Sequence, residues 1–310
     1  SRPDAVFSEE CLMSLTARSK GDRIFDAVNV SLMLLLMFLT LFPFWFSVVG
    51  SFSSGMDYVR GGVYFWPRSW TLANYRAVFS RGDILQAYRV TVLRTVVGTI
   101  AHLAVTGLFA YAFSRRGLVG KKVYATMGVI TMFFHGGLIP NYLLFRTLGI
   151  LDTFWVYILP ALFNFFNVVI FAAFFREIPE SINESARIDG ANEYTIYGRL
   201  IIPLSKPVFA ALALFTGVYH WNDFFMSLVY TTDESLQVMQ VFLLRVLQTR
   251  DVATHMAGAV SPEVAGRARA ANSTTIQLAT MVVAAAPVLV LYPFLQKYFV
   301  KGVLIGSIKG

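Results

Sequence analysis

Apolar positions along the chain gather into six long runs, separated by polar segments. They cover about 27–52, 87–113, 123–145, 154–175, 207–230 and 276–300. A helix crossing a bilayer needs about 20 mostly apolar residues, because the hydrocarbon core is about 30 Å thick and each residue rises about 1.5 Å. Every run meets that length, so the pattern predicts an all-α integral membrane protein with six transmembrane helices. The first run, centred on SLMLLLMFLTLFPFWFSVVG, is the clearest. The implied organisation is a polar N-terminal segment (1–26), a first transmembrane helix (27–52) and an outer segment (53–86). A core of five further helices (87–300) and a short tail (301–310) follow. The first helix reads as a retained anchor rather than a cleaved leader, since no short apolar stretch with a small-residue cleavage site precedes it. Pro43, Pro140, Pro160 and Pro287 fall in or at the ends of these runs. Membrane helices tolerate proline where neighbours satisfy the freed carbonyls. We therefore expect kinks, except at the Gly136-Gly137-Leu138-Ile139-Pro140 cluster, which predicts an end or an unwound turn.

Composition narrows the class. Of the 310 residues, 56% are hydrophobic and 14% charged, against about 25% charged in an average soluble chain. Mean hydropathy is +0.60. A soluble enzyme is excluded, and disorder with it. The single cysteine, Cys11, excludes a disulfide scaffold and a cysteine-rich zinc site. No metal site is expected. His102, His135 and His220 lie in three different runs and are expected to be neutral and packed.

The net charge of +8 acquires meaning from its distribution. With six spans and both termini cytoplasmic, the inner segments hold 15 of the 26 basic residues, including all seven lysines. Inner net charge is then +5 and outer net charge +3. The lysine asymmetry follows the positive-inside rule. Nucleic acid is not needed to explain the charge, and membrane lipid is the expected surrounding.

The inner loop between the fourth and fifth runs (176–207) reads REIPESINESARIDGANEYTIYGRLIIPLSKP. Pro179 suits the first turn of a helix, and Glu180 and Glu184 suit its positive end. Ser185 and Ala186 allow close approach. Asp189-Gly190 signals a turn, Asn192 can cap a second short helix, and Pro203 marks its end. A helix–turn–helix with nearly balanced charge suits docking into a protein groove.

These residues carry a resemblance. Glu184-Ser185-Ala186, then Asp189-Gly190-Ala191, then Tyr197, Leu200, Ile202 and Pro203 resemble the EAA loop of permease subunits in ATP-binding-cassette (ABC) importers. Ser185, Tyr197 and Ile202 replace the usual Ala, Phe and Leu. GGLIPNYLLFRTLGILDT, HWNDFF and QKYFVKGVLIGSIKG look like carbohydrate-uptake permeases of the oligo- and polysaccharide branch, including those of alginate-oligosaccharide importers. The resemblance covers nearly the whole chain from about Leu32. It implies a type I, MetI-like permease fold in a bacterial cytoplasmic (inner) membrane. It also implies that Glu184, Ser185, Ala186, Asp189, Gly190, Ala191 and Pro203 form a coupling helix seated in an ATPase subunit. The chain has no GxxxxGK[ST] loop, and GLVGKKV comes nearest. No cofactor is expected in this chain. ATP and Mg belong to the partner, and the chain is not itself an enzyme. Expected partners are a second permease chain in a heterodimer, two ATPase copies, a solute-binding protein and an oligosaccharide.

Trp221, Asn222 and Asp223 fall within the fifth run, where polar groups either face a pathway or tie helices together. Asn141 and Tyr142 follow the glycine break, and Asn164 and Asn167 share one helix face. All are candidates for a sugar pathway or for helix packing. The outer segment 231–275 contains an expected amphipathic helix at about Leu236 to Leu247. Its Arg245 and Arg250 are candidates for docking a binding protein. The outer arginine surplus suits bidentate contact with carboxylates and suggests an anionic, alginate-like sugar. The alternative is an ion- or proton-coupled transporter, for which Asp223 is the only buried carboxylate candidate.

Overall fold

A computed structural model describes residues 20–80, 82–257 and 274–290, with the side chains of 249–257 outside that description. Nine helices organise it: α1 (Lys20–Ser51), α2 (Gly82–Ser114), α3 (Lys121–Phe133), α4 (Leu138–Thr147), α5 (Phe165–Arg176), α6 (Glu180–Ile188), α7 (Lys206–Asn222), α8 (Met239–Ala257) and α9 (Thr274–Val290). Shorter helical turns join them. No strand occurs among the described residues; Ser53 and Trp70 form an isolated bridge.

Among the described residues, only α1 and α2 are single helices long and apolar enough to cross a membrane. Three bent helix pairs pass the same test when each is taken as one span; the first breaks at the glycine cluster, where an unwound turn is expected, and the second breaks where a kink is expected. The third run divides into α3 and α4, set at 115°. Residues 134–137 are unwound, with Gly137 at φ +83°, and Pro140 sits inside the new helix. The fourth run divides at 162–164 with a 51° bend. Pro160 therefore lies in a 3₁₀ turn before a break, not at a kink. Asn164 supplies the reason: its Oδ1 accepts the Asn167 backbone N–H and caps a fresh helix. The fifth run ends at Asn222, with Asp223 extended, and a separate short helix (Phe225–Tyr230) follows. The sixth run is described as far as Val290; the rest, like Cys11, lies outside the described residues.

Helix α1 is described from Lys20 and is already helical two turns before the apolar run. It is exposed through Ile24, Leu34 and Phe44 and buried only at Val49, Gly50 and Ser51. A helix apolar on every side and exposed is built for lipid or another membrane helix. Its buried end is tied by Asn74, whose Nδ2 donates to the carbonyls of Ser51 and Ser53 at 2.8 and 2.9 Å. Asn74 Oδ1 in turn accepts the Thr275 hydroxyl at the start of α9.

The centre of the fold is α2, packed along α5 and α7. Close approach depends on missing side chains. A Cβ on Gly98 would lie 2.5 Å from His220 Nε2, and one on Gly107 2.7 Å from the Tyr197 hydroxyl. Small residues bring membrane helices together because packing, rather than hydrophobic exclusion, drives their association.

Candidate translocation cavity and coupling loop

Helix α2 carries the chemistry at three levels. Three turns into the helix, Arg94 is 1% exposed and its Nη2 donates to Asp223 Oδ2 at 2.7 Å. Its guanidinium also lies 4.9 Å from the centre of the Tyr157 ring. Asp223 Oδ1 accepts the backbone N–H groups of Phe225 and Met226, starting the short helix there. Asp223 is thus an ion-pair partner and a cap. Trp221 donates its Nε1–H to the Ala284 carbonyl on α9 at 3.0 Å and lines a separate apolar groove of about 300 Å³. Asn222 is exposed at the end of α7.

At mid-helix, α2 supplies His102 to a cavity of about 760 Å³. The α4–α5 region provides Asn141, Phe163, Asn164, Phe166 and Asn167, and α7 provides Phe215 and Tyr219. His135, from the unwound turn, joins them. Three of the asparagines singled out from sequence therefore share one site. Tyr142 does not: its ring stacks on Tyr230 at 6.2 Å. His102 was expected only to pack, yet it organises the cavity. The Ala161 carbonyl can only accept, so His102 Nδ1 carries the proton at 2.7 Å. Its Nε2 is then the acceptor for Asn167 Nδ2 at 2.8 Å. The imidazole is neutral and fixed in one tautomer. Among the described residues, no Asp, Glu, Lys or Arg lines this cavity. Its surface offers amide, hydroxyl and imidazole groups between aromatic rings.

At the end of α2, Tyr111 reaches the loop 176–207. Its hydroxyl donates to Glu193 Oε2 at 2.6 Å, while Arg187 Nη2 meets Glu193 Oε1 at 2.9 Å. The Tyr111 hydrogen bond, with help from Arg187, holds the Glu193 carboxyl below the usual glutamate range. Pro179 leads into α6, which carries Glu184 and Ser185 exposed and Ala186 half-buried against the core. Asp189 ends it, and Gly190 takes φ +78°. A Cβ there would touch nothing within 4 Å, so the demand for glycine is conformational, not steric. Ala191 packs on the core, and Asn192 caps the next turn through the Thr195 N–H. Ile188 and Tyr194 stand out at 86% and 77% exposure. Pro203, expected to end this helical stretch, lies within it. A π turn (Tyr197–Ile201) precedes Pro203, and the 82° bend falls at Ser205. Proline cannot donate to the carbonyl one turn back, and a widened turn relieves that defect.

The amphipathic helix expected near Leu236 to Leu247 corresponds to α8, which begins at Met239, with Val238, Met239 and Val241 buried. Arg245 stands 3.7 Å from Glu234, both exposed. Arg250 lies in the same helix, and its side chain is outside the described residues. No metal-binding cluster occurs among the described residues.

A polar and aromatic cavity carried on bent apolar helices suits a membrane permease. The chain belongs to the family described as binding-protein-dependent transport system inner membrane component, which matches residues 14–305. It is 39% identical over 296 residues to Protein LplC of Bacillus subtilis, covering 94% of this chain and 97% of that one. It is 37% identical to the polygalacturonan/rhamnogalacturonan transport system permease protein YtcP of the same organism, covering 93% and 99%. A crystal structure of a bacterial ABC transporter involved in the import of the acidic polysaccharide alginate contains a chain 31% identical to this one. That chain superposes with TM-score 0.82 over 91% of this chain and 99% of its own length. The chain is therefore a sugar ABC permease, a transport component, rather than an ion- or proton-coupled secondary transporter. The ion-coupled alternative also loses its carboxylate, since Asp223 is held by Arg94.

Proposed function

We propose that this chain forms half of the translocation pathway of an importer for acidic oligosaccharides in a bacterial inner membrane, with both its termini on the cytoplasmic side. Asn141, Asn164, Asn167 and His102 supply hydrogen bonds, and Phe163, Phe166, Phe215 and Tyr219 supply rings for pyranose faces. Those four rings are 41–56% exposed in the single chain. That exposure suits a wall completed by a second permease chain, in a heterodimer. The acidic character rests on two relatives, one named for polygalacturonan and one described as importing alginate. A wall without fixed charge would pass uronates through neutral donors. Such contacts let a polyanion leave as well as enter, whereas a buried arginine would hold it.

Hydrolysis of ATP with Mg occurs on two copies of a separate subunit, and α6 transmits its motion. The observation that carries this reading is the continuous joint from α6 through Arg187 and Glu193 to Tyr111. Tyr111 shares α2 with the cavity residue His102. Exposed Ile188 and Tyr194, beside Glu184, Ser185 and Asp189, form the seat for the ATPase. Rigid-body rocking of α6 would then tilt α2 and alternate access to the cavity. A solute-binding protein docks on the opposite face, where Arg245 and Arg250 lie.

Gly190→Val and Glu184→Arg in the reconstituted complex test the proposal. A β-branched residue at φ +78° carries about 1–3 kcal/mol of strain. Both variants should reach the membrane yet lose most of the ATPase stimulation by binding protein loaded with uronate oligosaccharide. Full stimulation in both would overturn the coupling role. Stimulation by neutral glycans alone would overturn the acidic substrate.

A further inference from the structure

A second polar cavity lies at the root of α6. It has a volume of about 460 Å³ and is lined by Arg115, Arg116, Lys121 and Arg176, with Glu177 and Glu180. Two cations come from the end of α2 and the turn after it, one from the start of α3 and one from the end of α5. Arg115 is committed to structure. It stacks 4.1 Å above the Tyr111 ring, donates to Asn183 Oδ1 at 3.3 Å, and stands 3.6 Å from Glu180. Lys121 donates to the Arg115 carbonyl at 3.1 Å and is repelled by the like charge of Arg176. Arg116 and Arg176 are exposed, and no ion pair involves either among the described residues. Glu180 is met by Arg115, so Glu177 alone opposes three cations. Two glutamates cannot neutralise four bases that converge from three elements, and the surplus invites an anion of more than one charge-accepting oxygen.

Beside it lies apolar surface. Val119 is 88% exposed in the turn before Lys121, and Val123 is 61% exposed just after it. A basic pocket flanked by exposed aliphatic side chains at the end of membrane helices matches a phospholipid headgroup with its acyl chains alongside.

We propose that this cavity binds a phosphate group, presented by an anionic phospholipid headgroup or as a free anion, bridging the α2–α3 turn to the root of α6. The inference rests on the membrane orientation given under Proposed function, in which this end faces the cytoplasm. Binding there would brace the base of α6, so the lipid composition of the inner leaflet would set the stiffness of the coupling joint.

The test is native mass spectrometry of the full chain, titrated separately with phosphatidylglycerol, phosphatidylcholine and inorganic phosphate. Phosphatidylglycerol should bind in preference to phosphatidylcholine. Arg116→Gln with Arg176→Gln should weaken that binding about tenfold or more, at about 1 kcal/mol per surface cation. Arg116→Lys with Arg176→Lys, which keeps both charges, should retain it. Saturation by inorganic phosphate, lost in the Gln pair, would support the site and identify a free anion as its ligand. Equal binding of the two lipids with none of phosphate, or unchanged binding in the Gln pair, would overturn the proposal. The readout needs no transport, so failure here leaves the coupling role of Gly190 and Glu184 untouched.

Discussion

Helix α2 is tied to one carboxylate near its middle, through Arg94, and to another at its end, through Tyr111, and the two anchors differ in kind. Arg94 meets Asp223 at 2.7 Å with side-chain exposures of 1% and 12%. Arg187 meets Glu193 at 2.9 Å with exposures of 48% and 52%. The distances are nearly equal, but the surroundings are not. A buried pair is costly to desolvate, and breaking it strands a charge. An exposed pair competes with water and contributes little to stability. The first anchor therefore fixes the position of α2 against α7. The second can exchange with water, as the joint proposed between the loop and α2 requires. Similar chemistry serves scaffold and hinge according to burial alone.

The contrast breaks most sharply at Arg94. Arg94→Ala should cost about 3–5 kcal/mol by leaving Asp223 buried and unpaired, read as a large fall in thermal midpoint in detergent. Removing both charges while keeping the cap, Arg94→Met with Asp223→Asn, should recover most of that loss. A double variant as unstable as the single one would mean that the pair does more than neutralise itself. At the end of α2, Tyr111→Phe should cost about 1 kcal/mol or less, because the Glu193 carboxylate stays partly solvated. It should nonetheless reduce substrate-stimulated ATPase activity severalfold in the reconstituted complex. Full stimulation in this variant would show that the joint does not transmit.

The smallest effect is a pH dependence. The Glu193 carboxyl is held below its ordinary value of 4.5, chiefly by the Tyr111 hydrogen bond. A group with a depressed native value stabilises the fold above its unfolded value and loses that contribution as pH falls through the native one. The stability gap between wild type and Glu193→Gln should thus stay constant from pH 8 to pH 6 and shrink only below the glutamate range. A gap that already closed near neutrality would place the controlling titration elsewhere.

Much of the coupling loop was legible, because its signals are local. Pro179, Asn192 and Gly190 each act on their own backbone, and the structure places each at the helix start, cap or left-handed turn that its chemistry suits. Pro203 misled, since a π turn absorbed what normally ends a helix. The cavity was half legible. Asn141, Asn164 and Asn167 are polar residues in apolar runs and therefore stand out. His102 and Tyr111 do not, because a single histidine or tyrosine in a helix is common. Their roles come from Ala161, Asn167 and Glu193, which lie 59, 65 and 82 positions away. Trp221 and Asp223 carried the same signal as the asparagines and became tethers instead, through Ala284 and Arg94.

The sequence by itself determined the class. Apolar runs of bilayer length dictate helices, because unpaired backbone groups are too costly in hydrocarbon. The spacing of the loop around Asp189-Gly190 marked the segment proposed to meet the ATPase. Only the tertiary structure decided which runs bend, which polar residues face a cavity and which carboxylate is locked. Those outcomes depend on neighbours far along the chain. A one-residue rotation of a helix by about 100° exchanges a pathway residue for a packing residue, and hydropathy does not record it.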